Sequence, residues 1–295
     1  MKRIIMMIVT GLLIGTIQNA QANTIKIVAT HSILGDMAQQ VGGDRVQVTT
    51  LVRVDRDPHT YEPTPADVRH LRDAKIVIMN GLGLEGWMDR LISSSGFQGK
   101  LVVASKGVTP RTMTEDDQTI PDPHAWNNAA NGMIYVHNII QALVETDPEQ
   151  AQSYRSRGDR YLEELQQLDL WASRTMQAVP VQKRKVLISH DAFGYFGDAY
   201  GLTFLSPLGI STESEPSAGE IAQLIKQIRQ EKIEVYFLES SNDPRIVQQL
   251  GKATGARAGG TLFVEALSGP SGPAPNYAQM FRHNVEQLKK VMLAP

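Results

Sequence analysis

The fold of this chain is decided by residues 147–179, DPEQAQSYRSRGDRYLEELQQLDLWASRTMQAV. Apolar side chains recur there with the spacing of one helix face, at Tyr154, Tyr161, Leu162, Leu165 and Leu168. Asp147 is the predicted N-cap, a proline follows it, and Pro180 ends the helix. A helix of this length would be about 50 Å long, more than one small domain needs. We therefore expect it to brace two domains; the alternative is two shorter helices broken near Gly158.

Strand and helix patterns alternate on both sides of this helix. The strands expected in the first half, from their β-branched residues, are 25–29, 46–52, 76–79 and 101–104. The helices expected in that half begin near Ser32, Thr64 and Glu85. The elements expected in the second half are strands 186–189, 203–205, 235–238 and 261–264, with a helix over 216–230. Such alternation is typical of parallel sheets covered by helices on both faces.

The expected fold is therefore α/β, with two Rossmann-like lobes of parallel sheet joined by one long rigid helix. The predicted boundaries are a signal peptide at 1–22, an N-terminal lobe (N-lobe) at 23–146, the connecting helix at 147–179 and a C-terminal lobe (C-lobe) at 180–295. Neither lobe has a nucleotide-binding glycine fingerprint after its first strand. Sheets of this type bind ligands beyond the carboxyl ends of their strands, which predicts a site at that edge.

The first residues predict secretion. Lys2 and Arg3 precede an apolar run at 4–17, and Ala20-Gln21-Ala22 fits the small-x-small rule for cleavage after Ala22. The chain has no cysteine, which excludes a disulfide framework, a thiolate metal site and a lipid-attachable residue at the cleavage position. We therefore expect a soluble mature protein without stable membrane insertion. Loss of Lys2 and Arg3 lowers the basic count from 29 to 27 against 31 acids, a net charge of about −4, which does not favour nucleic acid.

The tripeptide Asp-Pro-His occurs twice, at 57–59 and at 122–124, in a chain with seven histidines. Proline fixes its φ at about −65° and has no backbone N–H, so each histidine is presented from a stiff loop. Stiff loops suit metal ligands, although Asp-Pro is also a common turn starter. The repeat makes His59 and His124 the first candidate ligands.

His190 joins them because it follows the predicted strand 186–189, so all three imidazoles can point into one cleft. Three neutral imidazoles form a set typical of zinc or another transition metal. Two carboxylates compete for the fourth position, Glu239 and Glu265, since each follows a predicted strand. The Gly/Pro-rich run 269–273 modestly favours Glu265, but topology alone leaves both open.

The remaining histidines are interpreted differently. Three of them lie in predicted helices and are expected to be surface or packing residues: His70, His137 and His283. His31 ends a predicted strand, and we expect it close to the site without being a ligand.

Four stretches together resemble the metal-binding solute-binding proteins of zinc, manganese and iron ABC transporters (cluster A-I). The stretches are DPHTYEPTPAD at 57–67, NGLGLEGW at 80–87, DPHAW at 122–126 and GGTLFVE at 259–265. The resemblance implies two α/β lobes joined by a backbone helix, with one metal between them. It also implies that the ligands are the residues matching the family's four: His59, His124, His190 and Glu265.

Two departures from that family pattern matter. The fourth ligand is usually aspartate, so Glu265 adds one methylene and changes the reach of the carboxylate. His190 matches a position that varies between histidine and glutamate, and the extra nitrogen favours zinc over manganese or ferrous iron. Asp57 and Asp122 are then candidates for capping the loops or orienting the histidines rather than for binding the ion.

The expected function is that of a periplasmic receptor, not an enzyme. It would capture one divalent ion, Zn²⁺ or Mn²⁺ with Fe²⁺ as the third candidate, and deliver it as a monomer to the membrane permease of an ABC transporter. A zinc hydrolase is the first alternative, but Glu265 would close the coordination position that catalysis needs. A surface adhesin that the metal only stabilises is the second.

Overall fold

The computed structural model describes residues 24–115, 118–209, 212 and 216–294. The predicted signal peptide at 1–22 lies outside these residues. Within them, no helix combines the length and the apolar character that crossing a membrane requires.

The N-lobe contains a parallel sheet of four strands. In chain order these are β1 (Ile25–His31), β2 (Val46–Val52), β3 (Ile76–Met79) and β4 (Lys100–Val103). They lie in the order β2-β1-β3-β4, so the chain crosses from one edge to the other. The helices between them are α1 (Ser32–Gly42), α2 (Pro65–Asp73) and α3 (Met88–Ser95). The parallel sheet predicted from the β-branched runs is confirmed.

An antiparallel hairpin follows β4. Its strands are β5 (Thr112–Glu115) and β6 (Gln118–Pro121), and α4 (Ala129–Thr146) comes next. The hairpin was not predicted, because its short strands lack the apolar alternation that reveals a half-buried strand. Its two ends are joined by a hydrogen bond from the backbone N of Asp122 to the carbonyl O of Arg111, at 2.8 Å. The second Asp-Pro-His turn therefore leaves directly from this hairpin.

The long helix α5 runs over Ala151–Gln177. It starts later than predicted because Pro148–Gln150 form a 3-10 turn of their own after Asp147. The Asp147 carboxylate does not cap this turn and accepts a hydrogen bond from the Tyr154 hydroxyl at 2.9 Å. The helix is continuous through Gly158, so the alternative of two broken helices is wrong. At this length it extends about 40 Å. A side chain at position 158 would collide with Ile140 of α4, which explains the glycine in a helix interior.

The C-lobe contains a second parallel sheet. Its strands are β7 (Lys185–Leu187), β8 (Thr203–Leu205), β9 (Val235–Glu239) and β10 (Arg257–Leu262), in the order β10-β9-β7-β8. Its helices are α6 (Gly194–Tyr200), α7 (Ala218–Gln230), α8 (Arg245–Thr254) and α9 (Tyr277–Met292). Strands β7 and β10 end two residues before the predicted ends. His190 and Glu265 therefore lie on loops beyond the strands, at the edge where a ligand was expected.

Helix α5 is attached to both lobes. Its Arg157 donates to the carbonyl O of Val41 in α1 at 2.7 Å, and its Asp169 accepts from the Tyr200 hydroxyl of α6 at 2.7 Å. One cluster of buried apolar side chains runs from the inner face of the N-lobe across α5 to the C-lobe. Smaller clusters fill the outer faces of the two lobes. The two-lobed fold with a connecting helix is confirmed, and its inner core is shared.

Candidate metal centre

Four side chains predicted to bind metal meet between the lobes. His59, His124, His190 and Glu265 each offer one ligand atom, and these atoms all lie within 4.8 Å of one another. Three of the side chains are completely buried, whereas the His59 side chain keeps 7% of its surface exposed. The cluster therefore has one edge towards solvent, and His59 forms it.

Both Asp-Pro-His turns hold their histidines in the same way. The Oδ1 of Asp57 accepts a hydrogen bond from the backbone N of His59 at 2.8 Å, and Oδ1 of Asp122 accepts one from the backbone N of His124 at 3.0 Å. An aspartate that bonds the backbone two residues later closes a tight turn. Both aspartates thus cap the turns that present the histidines.

Two of the histidines are oriented by buried carboxylates. Nδ1 of His124 lies 2.8 Å from Oδ1 of Asp122, and Nδ1 of His190 lies 2.5 Å from Oε2 of Glu239. A carboxylate at Nδ1 keeps the proton on that nitrogen and leaves the lone pair of Nε2 pointing away from it. The Nε2 atoms of both histidines face Glu265.

Glu239 and Glu265 occupy different places. Glu239 lies behind His190, where its Oε1 also accepts hydrogen bonds from the backbone N of Ser189 and of His190, at 2.7 and 3.1 Å. Glu265 lies in front, among the Nε2 atoms. Of these two carboxylates, Glu265 belongs to the cluster found among the described residues and Glu239 does not.

The size of the cluster suits a small metal ion. Oε1 of Glu265 lies 3.0 Å from Nε2 of His124, 2.9 Å from Nε2 of His190 and 3.8 Å from Nε2 of His59. The Nε2 atoms of His59 and His124 are 3.1 Å apart. Zinc bonds of about 2.0–2.1 Å place the ligand atoms of a tetrahedron about 3.3–3.4 Å apart. Small adjustments of these four side chains would therefore enclose such an ion.

The pKa values of His124, His190 and Glu265 depend on the charges of their neighbours. Burial by itself would lower the pKa of His124, but the negative charge of Glu265 and the hydrogen bond to Asp122 outweigh burial and raise that pKa to about 9. For His190 burial is likewise outweighed, here first by the charge of Glu239, and the pKa lies well above the ordinary value. Burial would raise the pKa of Glu265, yet the adjacent His124 holds it well below its usual range. Protons and a metal ion therefore compete for the same atoms.

Glu265 also has an unused oxygen. Its Oε2 is buried and has no hydrogen-bond partner among the described residues. A buried carboxylate oxygen left unpaired is costly, and a cation would satisfy it. This orphaned atom fits a metal-binding role for the group.

The other histidines lie where their predicted roles put them. His137 is exposed on α4, and His70 is exposed on α2 with Nδ1 3.9 Å from the Asp67 carboxylate. His283 packs against the Phe263 ring and its Nε2 lies 3.0 Å from the carbonyl O of Thr261. None of the three belongs to the cluster formed among the described residues.

His31 is buried beside the cluster, as expected. Its ring packs on Trp126 with centroids 5.0 Å apart, and Trp126 in turn packs on His124. Neither ring nitrogen of His31 has a hydrogen-bond partner among the described residues, and burial lowers its pKa to about 4.

Sequence reasoning missed two residues that support the site. Trp126 donates from Nε1 to the carbonyl O of Val264, at 2.8 Å, and so joins the His124 turn to the Glu265 loop. Asn242 donates to Oε2 of Glu239 at 2.6 Å. Trp126 falls in the stretch 122–126 and could have been singled out there. Nothing in the sequence around Asn242 points to its contact.

Comparison with known proteins gives a consistent result. The family model of ZnuA, described as the periplasmic component A of a zinc-uptake complex, matches residues 27–291. The iron-binding protein YfeA of Yersinia pestis is 33% identical over 270 residues, 91% of this chain and 86% of YfeA. The manganese-binding lipoprotein MntA of Halalkalibacterium halodurans is 32% identical over 262 residues, 89% of this chain and 86% of MntA.

A solved structure agrees. The periplasmic zinc-binding protein TroA of Treponema pallidum has a TM-score of 0.87 and 27% identity, covering 92% of this chain and 100% of that chain. The names of these three relatives refer to iron, manganese and zinc, so they agree on metal binding and differ in the metal. Neither a hydrolase nor an adhesin is favoured by these matches.

Proposed function

This chain belongs to the family of ZnuA, the periplasmic component A of zinc-uptake complexes, and from that premise we propose that it is the receptor that captures a divalent transition metal for an ABC importer. Proteins of this family bind the substrate of a transporter and are not enzymes. We assign the four ligands to His59, His124, His190 and Glu265.

One observation carries this assignment. Four potential ligand atoms converge in a buried cleft, and for two of the histidines a carboxylate at Nδ1 turns the Nε2 lone pair inward. Electron-pair donors repel one another unless protons or a cation lie between them. A metal ion that displaces those protons satisfies all four groups, including the orphaned oxygen of Glu265.

We propose zinc as the preferred ion. Three imidazoles and one carboxylate form a nitrogen-rich set in tetrahedral reach, which suits Zn²⁺ better than the oxygen-rich coordination that Mn²⁺ favours. Mn²⁺ and Fe²⁺ are the competing cargoes.

We place the receptor in the periplasm, as a monomer that docks on the membrane permease of its transporter. Several relatives are named lipoproteins, whereas the 295 residues of this chain contain no cysteine. The absence of a lipid anchor therefore stays a prediction. Fractionation of the producing cells tests it, since an anchored protein would sediment with the membranes.

Metal titration of purified apoprotein tests the proposed function. Elemental analysis should find one equivalent of zinc, and chelator competition should give a lower Kd for Zn²⁺ than for Mn²⁺ or Fe²⁺. His59→Ala should weaken zinc binding at least about tenfold. Loss of a residue that only orients a metal ligand already lowers the metal affinity by about that factor, and His59 is proposed as a ligand itself. His137→Ala is the matched control, since this histidine is exposed on α4.

Two outcomes would contradict the proposed function. A protein that takes up no stoichiometric metal, or a His59→Ala variant with the wild-type Kd, would refute metal capture at this site.

A further inference from the structure

We propose that Asp57 and Asp122 are positioning residues that tie the two N-lobe histidines to the C-lobe, so that loosening the contacts between the lobes weakens the hold on the metal. This inference rests on the proposed function. It concerns how the doubled Asp-Pro-His turn acts, beyond which residues bind.

Each aspartate uses its two oxygens for different tasks. Oδ1 of Asp57 and of Asp122 closes the turn that presents the histidine. Oδ2 of Asp57 accepts a hydrogen bond from the hydroxyl of Thr212, and Oδ2 of Asp122 accepts one from the guanidinium of Arg111. In each turn, the aspartate carboxylate is therefore held by hydrogen bonds at both of its oxygens.

The Asp57 connection crosses the lobes directly. Thr212 lies in the C-lobe, and its Oγ1 is 2.5 Å from Oδ2 of Asp57. A backbone hydrogen bond from Asp55 to the carbonyl O of Leu267, at 3.2 Å, crosses the same gap. The first Asp-Pro-His turn is therefore fixed by C-lobe atoms as well as by its own strand.

Asp122 is connected to the C-lobe through Arg111. Nη1 of Arg111 donates to Oδ2 of Asp122 at 3.3 Å, while its Nε donates to Oδ2 of Asp198 on α6 at 2.8 Å. The hydroxyl of Tyr195, also on α6, accepts from the backbone N of Arg111 at 2.8 Å and donates to the carbonyl O of Asp122 at 3.1 Å. Three hydrogen bonds to α6 therefore hold this turn and its hairpin.

Gly194 lies where helix α6 closely approaches the Arg111–Asp122 pair. A side chain at this first residue of α6 would overlap the Arg111 guanidinium and would lie 2.8 Å from Oδ2 of Asp122. A glycine there lets the C-lobe helix approach the pair.

The C-lobe ligand His190 is held differently. His190 is oriented by Glu239, which is fixed by the backbone of Ser189 and by Asn242, all within the C-lobe. Separation of the lobes would leave this support intact. The N-lobe histidines would keep the Oδ1 hydrogen bonds of their turns but lose the C-lobe contacts that fix those turns, so release of the metal should begin on their side, where His59 is already the exposed edge.

The test changes one inter-lobe contact of each turn without touching a ligand or the turn itself. Asp198→Asn weakens the Arg111 connection, Thr212→Val removes the hydrogen bond to Asp57, and the double variant combines both changes. Asp198 is an exposed carboxylate, with 69% of its side-chain surface accessible, so its loss leaves the core intact. Glu145→Gln is the matched control, because it breaks an exposed ion pair with Lys100 inside the N-lobe.

Three readouts separate positioning from general stability. We expect each single variant to release zinc to a chelator roughly tenfold faster, as for other residues that orient metal ligands, and the double variant roughly a hundredfold faster. The visible absorption of bound Co²⁺, which reports ligand geometry, should shift in the same variants. The thermal unfolding midpoint of the apoprotein should stay close to wild type. Thr212→Ser and Asp198→Glu should restore slow release.

The outcomes distinguish the two proposals. Wild-type protein that binds no zinc would refute the proposed function. Wild-type binding with unchanged release rates and an unchanged Co²⁺ spectrum in the double variant would refute the inter-lobe coupling alone. Faster release that tracks a fall in apoprotein unfolding temperature, or that also occurs in Glu145→Gln, would refute it too.

Discussion

Replacement of His31 by phenylalanine should make the apoprotein less sensitive to acid. His31 is buried with both ring nitrogens unpaired, and its ring packs on Trp126. Phenylalanine keeps a ring against Trp126 and removes the group that binds a proton.

The magnitude follows from the pKa of His31, which burial lowers from 6.5 to about 4. Between these values the unfolded chain binds a proton that the folded chain does not, so stability falls as the pH decreases through that range. The stability that depends on neutral His31 is fully present above pH 6.5. At about 1.4 kcal/mol per unit, wild type should lose about 2 kcal/mol from this residue by pH 5 and about 3 kcal/mol by pH 4.

Urea unfolding at several pH values, with chelator present, measures this difference. The free energy of unfolding of wild type minus that of His31→Phe should decrease by about 2 kcal/mol between pH 7.5 and pH 5. Other titrating groups contribute to both proteins and cancel in the difference. The exposed His137→Asn is the control and should follow wild type. Parallel stability curves for wild type and His31→Phe would refute the reasoning.

Three further predictions concern the site and its support. Because the pKa of His124 is raised to about 9 in the free site, zinc must displace a proton from it, and zinc affinity should keep rising from pH 7 to about pH 9. Metal-buffered titrations measure this dependence, and a constant affinity above pH 7 would contradict it. Tyr277→Phe should destabilise the protein by about 1–3 kcal/mol, since the Tyr277 hydroxyl donates to the buried carbonyl O of Trp126 at 2.6 Å. Chemical denaturation measures the loss, and a change below about 0.5 kcal/mol would count against this prediction. Gly194→Ala should displace Arg111 from Asp122 and accelerate zinc release roughly tenfold, which stopped-flow chelation measures. Gly219→Ala at the start of α7 is the control, because among the described residues a Cβ there would meet only the Ser217 hydroxyl, at the ordinary contact distance of 3.8 Å.

Much of the architecture could be predicted because parallel α/β lobes repeat a strong pattern. The β-branched runs identified β2, β3 and β8 with their observed bounds. The ends of β7 and β10 were harder to predict, since Ile188, Phe263 and Val264 continue an apolar pattern after the strands have ended. Apolar periodicity reports burial, and buried loop residues give the same signal as strand residues.

The site was predictable to a smaller extent. Residue type and position after a strand singled out the histidines, and both Asp-Pro-His turns indicated stiff presentation. The choice between Glu239 and Glu265 could not be made from topology, because Glu239 ends β9 and Glu265 follows β10 at the same edge of one sheet, and only the side-chain direction separates them. The connections through Arg111 and Thr212 were also invisible, since they join residues more than 80 and 150 positions apart in the chain.

Helix α5 has a practical consequence for anyone who wishes to follow metal loading. Because the apolar core continues from one lobe through this helix to the other, the distance between the lobes should change little when the ion arrives. A pair of fluorophores placed on the outer surfaces of the lobes for energy transfer would then report almost no signal. A single environment-sensitive dye near His59, at the exposed edge of the cluster, would be the better sensor design.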